Sequence, residues 1–142
     1  MKSDLQRAYL RARKGSEECF IQVVTRYEAL AFGFFRVSAP SRLTEAMNQT
    51  QQVFFHLWQQ IDSLPRLGDF ERALVQTLVA RDPGADPVCP DSRMASLAQL
   101  SPRDRIIALA VEIGNWTVDS AANAFEVSRA VMSQDLLRMR CD

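Results

Sequence analysis

Apolar residues recur every three to four positions through most of the chain, the spacing of helices that bury one side. The most aromatic of these patterns runs from Glu45 to Ile61. At about 100° per residue, Met47, Thr50, Val53, Phe54, Leu57, Trp58 and Ile61 fall on one side of a helix and are expected to face inward. Glu45, Asn48, Gln52, His56, Gln59 and Gln60 fall on the other side, with Phe55 at its edge. Asn48, Gln52, Phe55 and Gln59 make a stripe at i, i+4, i+7 and i+11. On periodicity alone this stripe is either a contact surface or a solvated face with one exposed Phe.

Upstream, Leu5, Ala8, Tyr9 and Ala12 give one face to a helix over 4–14, with Ser3 or Asp4 as its cap. Gly15 and Ser16 close it and cap the next helix, whose first turn holds Glu17 and Glu18, as the helix dipole favours. Phe20, Val23, Val24, Tyr27, Leu30, Ala31 and Phe34 carry that helix to about Val37, and Ser38–Ser41 breaks it. The two long helices are expected to form a hairpin with a shared aromatic core. After a loop at 65–68, Asp69 is placed to cap a helix over 70–81, with Leu74, Thr77, Leu78 and Arg81 at helical spacing.

Three prolines, a glycine and three aspartates between Asp82 and Asp91 cannot build a helix or a packed strand. This predicts two small helical domains, 1–81 and 94–142, joined by a linker over 82–93. In the second, Met94, Leu97, Ala98 and Leu100 make a short turn. Ser101-Pro102-Arg103-Asp104 then starts a helix with Ile106, Ile107, Leu109, Ala110 and Ile113 inward, ending at Gly114. Thr117 caps a helix over 118–124, 125–127 is a turn, and Ser128 caps a last helix to Arg140 with Val131, Met132, Leu136 and Met139 inward. A capped helix, a short turn and a second capped helix give a helix-turn-helix outline, which many small bundles share. The fold class is all-α.

Charge adds to this picture. The 142 residues carry no net charge, but residues 1–81 hold 11 basic and 8 acidic residues, net +3, and residues 82–142 hold 6 and 9, net −3. The whole chain therefore lacks the footprint of a nucleic-acid binder. Cys19, Cys89 and Cys141 are odd in number and far apart, which suits a reducing cytoplasm and no disulfide framework. His56 is the single histidine and has no partner for a metal site or a catalytic dyad. Paired carboxylates, a nucleophile with its base and a glycine-rich phosphate loop are all missing from the sequence, so neither an enzyme nor a cofactor is expected. No apolar run reaches the roughly 18 residues that a membrane span needs.

Taken together, the two halves resemble sigma factors of the extracytoplasmic-function (ECF) type. In the first half the resemblance rests on Gly15-Ser16-Glu17-Glu18-Cys19-Phe20, on Tyr27, and on Asn48-Gln49-Thr50-Gln51-Gln52-Val53-Phe54-Phe55-His56-Leu57-Trp58, similar to the family's Asp-Leu-Thr-Gln-Glu-Val-Phe-x-x-x-Trp. In the second it rests on Leu100-Ser101-Pro102-Arg103-Asp104-Arg105 and on the run from Ser128 to Asp135. The resemblance implies a first domain that binds core RNA polymerase through Asn48, Gln51, Gln52, Phe55 and Gln59. It also implies a second domain that meets promoter DNA through Ser128, Arg129, Ser133, Gln134, Arg138 and Arg140. The family's two acids on the polymerase helix are Asn48 and Gln52 here, amides of similar shape without charge. Ser133 and Asp135 replace a Lys and an Arg, and from Met94 onward 5 arginines face 6 acids. An aspartate facing phosphate is repulsive, so the second domain alone is expected to bind DNA weakly. Two readings follow: a divergent sigma factor that directs initiation at promoters, or a sigma-like mimic that engages an anti-sigma protein or the polymerase without promoter recognition.

Overall fold

A computed structural model describes residues 3–38, 43–82, 100–112 and 116–141, the side chains of 38, 112 and 139–141 excepted. Among them all regular structure is helical: α1 (Asp4–Arg13), α2 (Glu17–Ser38), α3 (Leu43–Gln59), a 3₁₀ turn (Ile61–Ser63), α4 (Leu67–Ala80), α5 (Pro102–Glu112), α6 (Val118–Ala124) and α7 (Arg129–Cys141). The expected linker at 82–93 (beyond Asp82), the short turn at 94–100 (before Leu100), Gly114, and the side chains of Met139 and Arg140 lie outside the described residues.

Local chemistry sets the helix ends. The Ser3 hydroxyl accepts from the Gln6 N–H while the Gln6 side chain accepts from the Ser3 N–H, a reciprocal cap. Gly15, at φ 104°, lets the Ser16 N–H reach the Arg11 carbonyl and its own N–H reach the Ala12 carbonyl, which terminates α1. Ser16, Ser101, Thr117 and Ser128 then cap α2, α5, α6 and α7 through their side-chain oxygens. Asp69 is not the cap of α4. The helix begins earlier, at Leu67, and Asp69 in its first turn accepts from the Arg66 N–H at 3.1 Å.

α1 packs on α2, α2 on α3, and α3 on α4. Tyr9, Phe20, Tyr27, Leu57 and Phe70 are buried among these helices, with Phe70 ringed by Tyr9, Phe20 and Tyr27 at centroid distances of 5.4–6.2 Å. The aromatic hairpin core expected from periodicity is present, with two shifts. Met47 is 49 % exposed rather than inward, at the rim of an open cleft between α2 and α3. Trp58 is half-buried, its ring 4.6 Å from Phe20.

The second stretch sits on the first. α5 packs against α2 and α4, and α6 against α4. Ile106, Ile107, Ala110, Trp116, Ala121 and Met132 join the same buried cluster as Tyr27 and Leu74. Trp116 meets Tyr27 edge-on at 6.0 Å, and beneath it the Tyr27 hydroxyl donates to Glu71 Oε2 at 2.9 Å. Arg105, 3 % exposed, donates to Asp82 Oδ1 and to the Leu100 carbonyl, both at 3.1 Å, and lies over the Phe34 ring. Arg72 reaches from α4 to Asn123 Oδ1 and the Asn123 carbonyl, and to Glu126, in the turn between α6 and α7. Gly68 makes that approach possible, since a Cβ there would stand 2.9 Å from Asn123 Nδ2.

Candidate functional site

Two surfaces hold the residues singled out by the sequence. The first is the outer side of α3. Asn48, Gln52, Phe55 and Gln59 are all exposed and share one stripe, and Phe55 is 63 % exposed, far more than a lone core aromatic would be. Gln51 stands apart from them. It lines a cleft of about 470 Å³ between α2 and α3 with Val24, Glu28, Phe32, Met47 and Phe54. His56 sits beside the stripe, 3.0 Å from the Gln60 amide.

The stripe has a neighbour that periodicity does not reveal. Arg81, at the C-terminal cap of α4, donates from Nη1 to Gln49 Oε1 and Gln52 Oε1, both at 3.1 Å. A guanidinium only donates, so the Gln52 oxygen must turn toward Arg81 and its amide N–H₂ toward solvent. The sequence placed Arg81 on the helical repeat of α4 but gave no signal of this cross-helix bond.

The second surface is α7 with the turn before it. Ser128 caps the helix, and the Val131 N–H donates to its Oγ at 3.2 Å. Arg129 and Gln134 are exposed, and Ser133 is half-buried. Asp135, expected at the border of the outward face as a charge repelling phosphate, turns toward α5. It accepts from Arg103 on α5 at 3.1 Å and lies 3.7 Å from Arg138, with a side chain only 20 % exposed. Arg138 donates to Asp104 at 3.1 Å, and that hydrogen bond is the main reason its pKa lies above the ordinary guanidinium range. Arg103, Asp104, Asp135 and Arg138 thus form an alternating network between α5 and α7, with Arg103 also 5.4 Å from the Phe125 ring centre. Arg129 lies 3.6 Å from Asp119, both largely exposed. Val131, expected inward, is 43 % exposed and Leu137 is 61 % exposed, because α5 and α6 cover the helix on its Met132 side. The Arg140 side chain falls outside the described residues.

No protein-family model and no curated protein matches the chain in sequence. In structure it is similar to CnrH, solved in complex with the cytosolic domain of CnrY, with a TM-score of 0.76 at 19 % sequence identity, over 97 % of this chain and 94 % of that one. CnrH is an ECF-type sigma factor. The fold is sigma-like. None of the described helices is long and apolar enough to cross a membrane.

Proposed function

We propose that this chain is a divergent ECF-type sigma factor that binds core RNA polymerase and directs transcription initiation at promoters. The observation that carries the reading is the end-to-end likeness to CnrH, with the polymerase-helix motif standing exposed on α3. Residues 1–81 act as the polymerase-binding module, with Asn48, Gln52, Phe55 and Gln59 as its contact stripe and Gln51 at its margin. Residues 94–142 act as a helix-turn-helix module, and 82–93 link the two. Ser128, Arg129, Ser133, Gln134, Arg138 and Arg140 are the proposed DNA contacts. The work is done in the cytoplasm, where the polymerase is.

One observation favours a second reading, a regulator that engages polymerase or an anti-sigma protein without reading a promoter. On α7, Arg138 is bound to Asp104 and Asp135, so fewer cations are left for phosphate than a DNA reader needs. CnrH itself is held by an anti-sigma partner, CnrY, and a protein of that kind is a proposed partner here.

Run-off transcription with reconstituted core polymerase separates the readings. Promoter-dependent transcripts that require this chain support a sigma factor. Tight polymerase binding without transcripts from any promoter in a genomic library supports the regulator. No binding to core polymerase would end both polymerase-based readings.

A further inference from the structure

We propose that this chain carries an autoinhibitory contact of its own: the second stretch docks on α2 and α4 and holds the N-terminal end of α7 back from DNA until a partner opens the seam. The closed state is built from this chain's residues alone and needs no anti-sigma protein. The inference rests on the promoter reading above and adds how that activity is held in check.

The middle of the seam is apolar. Trp116 meets Tyr27 edge-on, and Leu109 reaches Gly33 on α2, where an added Cβ would stand 3.8 Å from Leu109 Cδ2. Tyr27, Leu109 and Trp116 are all buried, so parting the halves would expose them to water. Domains joined by a small polar contact move freely, whereas an apolar seam holds them together. The rim is polar and lies at the functional end of α7. Arg72 of α4 donates to Asn123 and stands 3.4 Å from Glu126. Glu126 takes φ 59°, a left-handed conformation that favours glycine, and its pairing with Arg72 supports that strained turn. The pair is partly exposed and contributes little energy, so the apolar seam supplies the stability and the rim fixes the position. A helix-turn-helix enters the major groove by the first residues of its second helix. Here those residues, Ser128 and Arg129, follow Glu126 closely. The end of α7 that would enter a groove is therefore the end anchored on α4. Arg72 is itself withheld from phosphate while it holds Asn123 and Glu126.

The experiment locks and wedges the seam in the full chain. An added Cβ at Gly68 would stand 2.9 Å from Asn123 Nδ2, which puts cysteines at the two positions within disulfide reach. Gly68→Cys with Asn123→Cys is made in a Cys19→Ala, Cys89→Ala, Cys141→Ala background and oxidised. Run-off transcription with core polymerase is then measured before and after reduction, beside the background chain treated alike. The locked chain is expected to give at least about tenfold fewer transcripts, restored by reduction. Gly68→Leu, whose side chain presses Asn123 away from α4, is expected to give about two- to fivefold more transcripts than wild type, a gain that no loss of folding could produce. Locked and reduced chains of equal activity would overturn the autoinhibition and leave the promoter reading standing. A folded Gly68→Leu chain no more active than wild type would do the same. A cysteine pair that does not cross-link on oxidation would show that α6 does not sit on α4 in solution and would overturn the closed state. A background chain that gives no promoter-dependent transcripts ends the promoter reading, and this proposal with it.

Discussion

Arg105 and Asp82 form an ion pair of 3.1 Å with the arginine side chain only 3 % exposed. The pair ties the first turn of α5 to the second residue past α4. The Leu100 carbonyl and the Phe34 ring also hold the guanidinium, so its desolvation is offset by several partners at once.

Removing Asp82 takes a carboxylate away from a buried guanidinium, which is costly even where other partners remain. Asp82→Ala is expected to cost about 3 kcal/mol in urea unfolding, with the denaturant slope unchanged. A loss below about 1 kcal/mol would mean that Leu100 and Phe34 hold Arg105 without help from Asp82.

Gly68 tests the approach of α6 to α4. Within a helix, Gly→Ala ordinarily stabilises by about 0.5–1 kcal/mol. Here the new methyl would press on Asn123 Nδ2, whose neighbouring Oδ1 is already held by Arg72. Gly68→Ala is therefore expected to destabilise the wild type by up to about 1 kcal/mol and to regain its ordinary benefit in an Asn123→Ala background. Equal effects in both backgrounds would show that Asn123 yields freely.

The α5–α7 network decides how the last helix meets DNA. Asp135→Ala takes one carboxylate from each of Arg103 and Arg138, which then share Asp104 alone. The pairs are partly exposed, so the stability cost is expected to be small. Affinity for duplex DNA is expected to rise, and the log–log salt dependence to steepen by about one unit per freed guanidinium that reaches a phosphate. If DNA binding does not change, α7 does not face DNA and the regulator reading gains.

Glu71 makes stability depend on pH. Burial lifts its carboxyl above the ordinary carboxylate range, while the Tyr27 hydrogen bond and Arg26 oppose the shift. Burial, followed by Glu71, in turn pushes the Tyr27 hydroxyl upward. Since the folded chain keeps the Glu71 proton to higher pH than the unfolded chain does, this contribution is complete below the unfolded value and is lost as pH rises through the folded one. Glu71→Gln, which can still accept from Tyr27, is expected to remove the decline and to melt no lower than wild type at neutral pH. Parallel melting curves for the two chains between acid and neutral pH would rule out this role.

The parts legible in the sequence are those decided within a few residues. The capping oxygens of Ser16, Ser101, Thr117 and Ser128 bind N–H groups of their own first turns, so spacing alone located them, and it narrowed the cap of α1 to Ser3 or Asp4, of which Ser3 is the one that caps. The inward faces of α1 and α2 were legible for the same reason. Met47 and Val131 were misplaced because their burial depends on which helix covers that edge, a matter of topology. Asp135 looked like a repulsive charge because its counter-ion, Arg103, lies 32 positions away. Tyr27 with Glu71, 44 apart, and Gln52 with Arg81, 29 apart, escaped notice likewise. The site was readable as a stripe of residue types. Which atoms of those residues face outward was not.

Trp116, 7 % exposed and edge-on to Tyr27, has a spectroscopic consequence. The chain has two tryptophans, and the other, Trp58, lies on Phe20 at the far end of the aromatic core. With Trp58 replaced by Phe and the remaining indole carrying fluorine, a single ¹⁹F resonance would report the seam between the two stretches. The ring current of Tyr27 displaces that resonance while the halves are joined, and water restores it when they part. The opening of the molecule on any partner, nucleic acid or protein, would then be visible in solution against an unlabelled background of any size.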